Sequence, residues 1–244
     1  GYAFMLWARM DHPELGTSPH LAWFRENGKP LLYFALFCLG CGTAIALPHA
    51  LAWFRILWPA AVVTLFYVVP PVLVGGRTLG LRRVPFLKAL LIAFVWSMVT
   101  IGLPMAMNGM DQGAERSGWL FALQFTFFLS LTISFDLRDR AIDPQGLRTI
   151  PQVMGARIAK LLSVVLLLYP LSVFLLMAYL SHALDEPGAT PTFAWEELLA
   201  AAGYLMTIFV VVRSGPHRGP LHHDLLVDGM LVLMPLLWWL GTLI

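Results

Sequence analysis

Charged side chains are scarce in this 244-residue chain. Only 12% of its residues are Asp, Glu, Lys or Arg, where a soluble domain carries roughly a quarter. That scarcity excludes an ordinary soluble globular domain. A net charge of +2 offers nucleic acid no strongly basic surface, and none is expected as a partner. Cysteine is scarcer still: Cys38 and Cys41 stand in one apolar stretch, so no disulfide framework staples the fold. A Cys-x-x-Cys pair with no second pair and no neighbouring His reads as small packing residues, with a redox or metal role as the alternative. Repeats of fixed period, low-complexity linkers and a second compositional region are also missing, so residues 1–244 are expected to form a single transmembrane domain. The apolar runs lack period-2 alternation, which excludes a β-barrel.

What the chain has in abundance is apolar surface. Apolar residues make up 59% of it and the mean hydropathy is +0.75. A bilayer core needs about 20 mostly apolar residues per helix, and backbone groups in lipid must be satisfied within the span. The expected fold is therefore all-α, a polytopic bundle of membrane helices. Seven complete spans are expected: Pro30 to Leu47, Ile56 to Val74, Phe86 to Met107, Gly118 to Phe135, Ile158 to Leu180, Phe193 to Val212 and Leu225 to Leu243. Tyr2 to Met10 reads as the tail of a further helix that starts before Gly1, and it is too short to be a signal peptide.

The connections alternate in charge. Those around Asp11 to Lys29, Gly75 to Lys88, Asp136 to Lys160 and Arg213 to Asp224 hold 14 of the 16 basic residues, leaving Arg55 and Arg116 on the other side. Lys and Arg collect on the cytoplasmic side. The loop after Asp136 is therefore expected to face the cytoplasm, with the chain in a bacterial inner membrane. The basic residues stand where anionic headgroups or phosphates of membrane lipids would meet them.

Chemistry concentrates in the segment from Phe135 to Pro151. A helix running on to Asp143 would set Asp136, Asp139 and Asp143 within ~60° of one another. Three anions on one face need cations among them. Oxygen ligands of this kind suit Mg²⁺, which keeps several waters and shares its sphere with substrate phosphates. Arg140 and Arg148 are placed to reach a phosphate or to pair with these carboxylates, while Arg138 is expected to point the other way. The alternative is a solvated salt-bridge cluster at the membrane margin.

Asp136-x-x-Asp139-x-x-x-Asp143, then Gly146-Leu147-Arg148-Thr149-Ile150-Pro151 and Gly155, resembles the second aspartate-rich motif of the UbiA-type intramembrane prenyltransferases. Upstream, Tyr67-x-x-Pro70-Pro71, the basic Arg77, Arg82 and Arg83, and Pro85-Phe86-Leu87-Lys88 resemble the family's tyrosine motif, basic loop and lysine-bearing helix start. The resemblance covers Ile56 to Lys160 in motifs and the rest in layout. It implies a nine-helix fold, a Mg²⁺ cofactor, and a prenyl diphosphate and a lipophilic acceptor as partners. It further implies Asp136, Asp139 and Asp143 as catalytic metal ligands, and Tyr67, Lys88, Arg140 and Arg148 as diphosphate partners. The family's first aspartate motif should fall at Tyr2 to Asp11. Only Asp11 fills a carboxylate position there, with Ala3, Phe4 and Trp7 where Asn and two Asp would stand. Asp11 is thus the one candidate metal ligand from that side.

Other polar residues carry weaker signals. Gln124, Thr126, Ser130 and Ser134 are expected to make interhelical hydrogen bonds. His222-His223-Asp224 reads as a solvated turn, with metal binding as the alternative. Asp228 is either a functional buried carboxylate or a partner of Arg213 or Arg218. Tyr67, Trp96 and Phe135 are aromatic candidates for a pocket lining, with ordinary packing as the alternative. Two further functions stay open: a catalytically reduced relative that binds an isoprenoid or phospholipid, and a transporter or assembly factor with structural aspartates.

Overall fold

Within an apolar run every backbone N–H and C=O is satisfied by the run itself, so such segments fold as helices. The computed structural model describes residues 19–68, 72–74, 77–79, 86–107, 114–140, 148–183, 195–215 and 222–243. Its helices are α1 (Pro19–Ala46), α2 (Ala50–Val68), α3 (Leu87–Ser97), α4 (Leu103–Met107), α5 (Ala114–Asp139), α6 (Ile150–Met154), α7 (Ala156–Ala183), α8 (Trp195–Arg213) and α9 (Asp228–Gly241). A 3₁₀ turn (Leu47–His49) joins α1 to α2. Wide π turns at Met98–Gly102 and His222–Val227 run into α4 and α9. Among the described residues the only sheet is an antiparallel hairpin, β1 (Val72–Val74) with β2 (Arg77–Leu79), in the register Val72 to Leu79. The chain divides into two compact units, Gly1–Arg55 and Ile56–Ile244, taken in turn below.

Among the described residues four helical stretches are long and apolar enough to cross a membrane: Leu87–Met105, Gly118–Asp139, Ala156–Ser181 and Trp195–Arg213. Leu32–Ala44 and Leu225–Gly241 are shorter apolar helices. Two expected boundaries move. α1 begins at Pro19 and runs through Pro30, because hydropathy marks depth in the bilayer and not where a helix starts. The span expected to end at Val74 stops as helix at Val68, just before Pro70 and Pro71, neither of which can donate a helical hydrogen bond.

In the first unit, α1 exposes Tyr33, Phe34, Leu36, Phe37 and Leu39. Cys38 and Cys41 are free and exposed, so they are not the packing residues the sequence leads one to expect. The i, i+3 spacing puts both on an outward face with the neighbouring aromatics.

In the second unit, α5 is the central helix. Its apolar stretch is 61% buried, against 22–39% for the other three. α3 and α7 pack along it, α8 packs on α7, and α9 on α8. Ala89, Ala93 and Ser97, one turn apart on α3, are almost fully buried. Their small side chains let α3 approach α5 closely. Ring contacts then run from helix to helix. Trp96 stacks on Phe128 and Tyr204 on Phe174, while Phe127 meets Tyr204 and Phe174 meets Trp238 edge to face, with centroids 5.6–5.8 Å apart. Phe127 and Phe128 touch at 5.7 Å, so one aromatic row ties α3, α5, α8, α7 and α9 together.

The distribution of polarity is inverted relative to a water-soluble protein. Ser97, Ser130, Thr132, Ser134, Asp136, Ser163, Thr207, Ser214 and His223 are buried. Leu161, Val165, Leu168, Leu175, Leu176 and Tyr179 of α7 face outward. An apolar exterior of this extent on a helical bundle is what lipid solvates, and the fold is consistent with an integral membrane protein.

Candidate functional site

The site is built at one end of the bundle, where α3 begins and α5 ends. Lys88 lies in the first turn of α3 and Asp136 in the last turn of α5. Their side chains meet across 48 residues of sequence, with Lys88 Nζ donating to Asp136 Oδ1 at 2.7 Å. The carboxylate is 2% exposed and the lysine 23%, so the anion lies underneath and the cation nearer the surface. One turn on, Asp139 is chelated side-on by Arg138. Nε donates to Oδ1 at 2.7 Å and Nη2 to Oδ2 at 3.2 Å. The guanidinium of Arg138 also lies over the Phe135 ring, 5.2 Å from its centroid. Arg138 therefore does not point away, as its position one residue before Asp139 predicts. At a helix end its long stem folds forward to the neighbouring carboxylate.

The third segment arrives through the backbone. Phe86 N–H donates to the Arg148 carbonyl at 3.3 Å, which fixes Arg148 beside the start of α3. Both residues are left-handed, Phe86 at φ 66° and Arg148 at φ 46°. A residue with a Cβ spends roughly 1–2 kcal/mol to sit there, and such strain gathers at functional loops. Thr149 then caps α6: the Gln152 carboxamide folds back to accept the Thr149 N–H at 3.1 Å. This is the reciprocal half of a capping box. Gly155, at φ 82°, separates α6 from α7 in a conformation only glycine adopts without penalty. Arg148→Gly should accordingly stabilise the protein by about 0.5–1 kcal/mol, the strain relieved less the entropy glycine adds to the unfolded chain. Arg148→Ala, which keeps a Cβ, should give no such gain. Denaturation of both variants in detergent micelles checks the difference.

Lys88, Asp136, Asp139, Arg140 and Arg148 thus share this end of the bundle. Asp143 and Asp11 lie outside the described residues, as does the side chain of Tyr67, whose backbone belongs to α2. α5 runs to Asp139 with a turn at Arg140, and the continuation of the helical face expected to reach Asp143 lies outside the described residues. Arg140 and Arg148 are exposed. Lys88 and the described part of 136–160 carry six basic side chains against two carboxylates, an excess that favours anions.

That charge balance bears on Mg²⁺. Asp136 is buried with an ammonium on one oxygen, and Asp139 is held by Arg138. A Mg²⁺ that keeps its waters needs open carboxylate oxygens. No group of three or more His, Cys, Asp or Glu able to hold a metal occurs among the described residues. The described carboxylates do not by themselves fit the ion.

Elsewhere, the span leading to the site turns its hydroxyls inward on itself. Thr126 donates to Leu123 O at 2.9 Å and Ser134 to Ser130 O at 3.2 Å, in place of the expected interhelical bonds. Trp96 is half-exposed beside Phe128. His223 is fully buried, which corrects its reading as part of a solvated turn. His222 Nε2 lies 3.2 Å from Ser214 Oγ. That hydroxyl donates to the Val210 carbonyl at 3.1 Å, so its oxygen accepts from the His222 N–H. Only the break at Ser214-Gly215-Pro216 hinted at this contact. Asp228 is exposed and is not a buried carboxylate. Arg213 lies over Phe209, 3.9 Å from the ring centroid.

No family model matches the sequence, and no match emerged among curated proteins or solved structures.

Proposed function

We propose that this chain is an intramembrane prenyltransferase that moves a prenyl group from a prenyl diphosphate to a lipophilic acceptor, slowly. The observation that carries the reading is the Lys88–Asp136 ion pair, with the Arg148 backbone bonded to Phe86 two residues from Lys88. Lys88, Asp136 and Arg148 are each implied by the resemblance, and Lys88, 48 residues before Asp136, joins the other two at one end of an apolar bundle. The proposed layout keeps seven spans and places this end in the cytoplasm, as the basic loops favour.

In this reading the prenyl tail lies among the apolar helices and the diphosphate at the basic rim. The bond between C1 of the prenyl group and the diphosphate oxygen breaks, leaving an allylic cation and the free diphosphate. The acceptor then forms a bond to C1 and loses a proton. Negative charge grows on the departing diphosphate, and Lys88, Arg140 and Arg148 offset it. The apolar surroundings keep water from the cation. Asp136 and Asp139 are each already held by a basic side chain, and Tyr2 to Asp11 supplies a single Asp. Both facts favour slow ionisation, because stabilisation absent from the transition state is lost from the rate. They also favour, as a second reading, a protein that binds the diphosphate without transferring its prenyl group.

The test is to incubate the purified protein with labelled geranylgeranyl diphosphate and lipid-soluble acceptors, in Mg²⁺ and in EDTA, and to follow prenylated product and released diphosphate. Slow product formation that falls about tenfold in Arg140→Ala, which removes one of the cations offsetting the diphosphate, and little in Asp11→Ala, is expected. Release of diphosphate without prenylated product would favour the binding-only reading. Rapid turnover that collapses in Asp11→Ala would show that the first motif works in the ordinary way.

A further inference from the structure

The Lys88–Asp136 pair has the wrong order of burial for a metal centre. At a metal site the carboxylate faces the ligand. Here the carboxylate is 2% exposed and the ammonium 23%, with 2.7 Å between Nζ and Oδ1. We propose that Asp136 is a positioning residue for Lys88, and that the Lys88 ammonium, in place of a divalent cation at Asp136, meets the lipid-borne phosphate. The inference rests on the reading that this rim receives a prenyl diphosphate.

Three features support it. First, the buried carboxylate fixes the ammonium, since a buried anion left without its cation is strongly unfavourable. Lys88 therefore stays charged and in place, and its partial exposure leaves it within reach of an anion arriving from outside. Second, the lysine and Arg148 are held in one frame. The Phe86–Arg148 backbone bond lies two residues from Lys88 and sets the start of α3 against the turn that carries Arg148. Third, cations are in excess among the described residues of the rim: Arg140 and Arg148 are exposed, while Asp139 is already chelated by Arg138. Side chains alone can then balance a phosphate, with hydrogen bonds stronger than those between neutral groups.

Equilibrium binding of labelled geranylgeranyl diphosphate to the detergent-solubilised chain tests this. The wild type should bind in EDTA with an affinity within about threefold of that in Mg²⁺. Lys88→Met should weaken binding about tenfold or more, as expected when a charged partner of an anion is removed. Asp136→Asn should weaken it comparably, although Asp136 repels the ligand, because the ammonium loses its anchor. The double variant should be no weaker than Lys88→Met alone, since both changes act through one group. Manganese bound to the protein, read by electron paramagnetic resonance, should be unchanged in Asp136→Asn. If a single variant fails to fold, the double variant, which removes both charges of the pair, still decides: binding should fall about tenfold or more, and retained Mg²⁺-dependent binding would overturn the inference. Wild-type binding that vanishes in EDTA, or Asp136→Asn that releases manganese and adds to Lys88→Met, would overturn it while leaving the prenyl reading standing. A wild type that binds in neither condition would overturn both.

Discussion

Lys88→Met should destabilise the bundle by about 3–5 kcal/mol, whereas Lys88→Met combined with Asp136→Asn should recover most of that loss. The single change leaves a carboxylate 2% exposed in the end of α5 without the ammonium 2.7 Å away. A buried ion deprived of its partner costs that much, while replacing both partners by neutral groups of similar shape is often close to neutral. Because Lys88 is 23% exposed, water relieves part of the penalty and the lower end of the range is the better expectation. Chemical denaturation of the three variants in one detergent gives the cycle. Equal stabilities for the single and double variants would mean that Asp136 does not depend on Lys88 for its charge. The prediction concerns the fold alone, so it stands whether or not the rim binds a diphosphate.

Gly241→Ala should cost about 1–3 kcal/mol, and Gly241→Leu more, while Gly203→Ala should cost less than about 1 kcal/mol. The contrast comes from what each new Cβ meets. At Gly241 it meets Glu196 backbone, with the amide nitrogen only 2.7 Å away. The end of α9 and the start of α8 must then separate. At Gly203 the nearest atoms belong to the flexible Met234 and Leu237 side chains. Methionine adapts to new neighbours by rotamer changes. Thermal unfolding in micelles ranks the variants. A further sign is a changed aromatic signal from Trp238, which packs against Phe174 one turn before Gly241. Equal effects at the two glycines would show that α8 and α9 slide past each other with little penalty.

The helical, membrane-compatible class was legible in the sequence because lipid imposes a rule that composition cannot hide, whereas four of the seven expected spans appear at full length among the described residues. Continuous apolar runs placed α5, α7 and α8 to within a few residues. The boundaries that moved did so for local reasons. Arg25, Glu26 and Lys29 made the start of α1 read as a loop, although charge is no obstacle to a helix outside the hydrocarbon. The site was legible in part. The carboxylates and the lysine could be named, but not that Lys88 and Asp136 neutralise each other, since spacing along a chain does not report a contact across 48 residues. Nor could the left-handed turns at Phe86 and Arg148 be foreseen, because neither is a residue that favours that conformation. His223 misled for a related reason. Two adjacent histidines beside Asp224 look solvated, yet the π turn rotates one of them into the protein.

The wide turn at Met98–Gly102, where the Leu103 N–H reaches back to the Met98 carbonyl, has a consequence for how this span tolerates changes in length. A π turn is an α-helix that has absorbed one extra residue. Removing a residue within 98–102 would restore the ordinary ladder and leave both flanking segments on their present faces, with Ala89 and Ala93 inward before the turn and Leu103 inward after it. The same deletion earlier in α3 would rotate everything beyond it by ~100° and turn buried positions toward lipid. One stretch of the span can therefore lose a residue while its neighbours cannot, which makes 98–102 a slack joint in the middle of an otherwise inextensible rod.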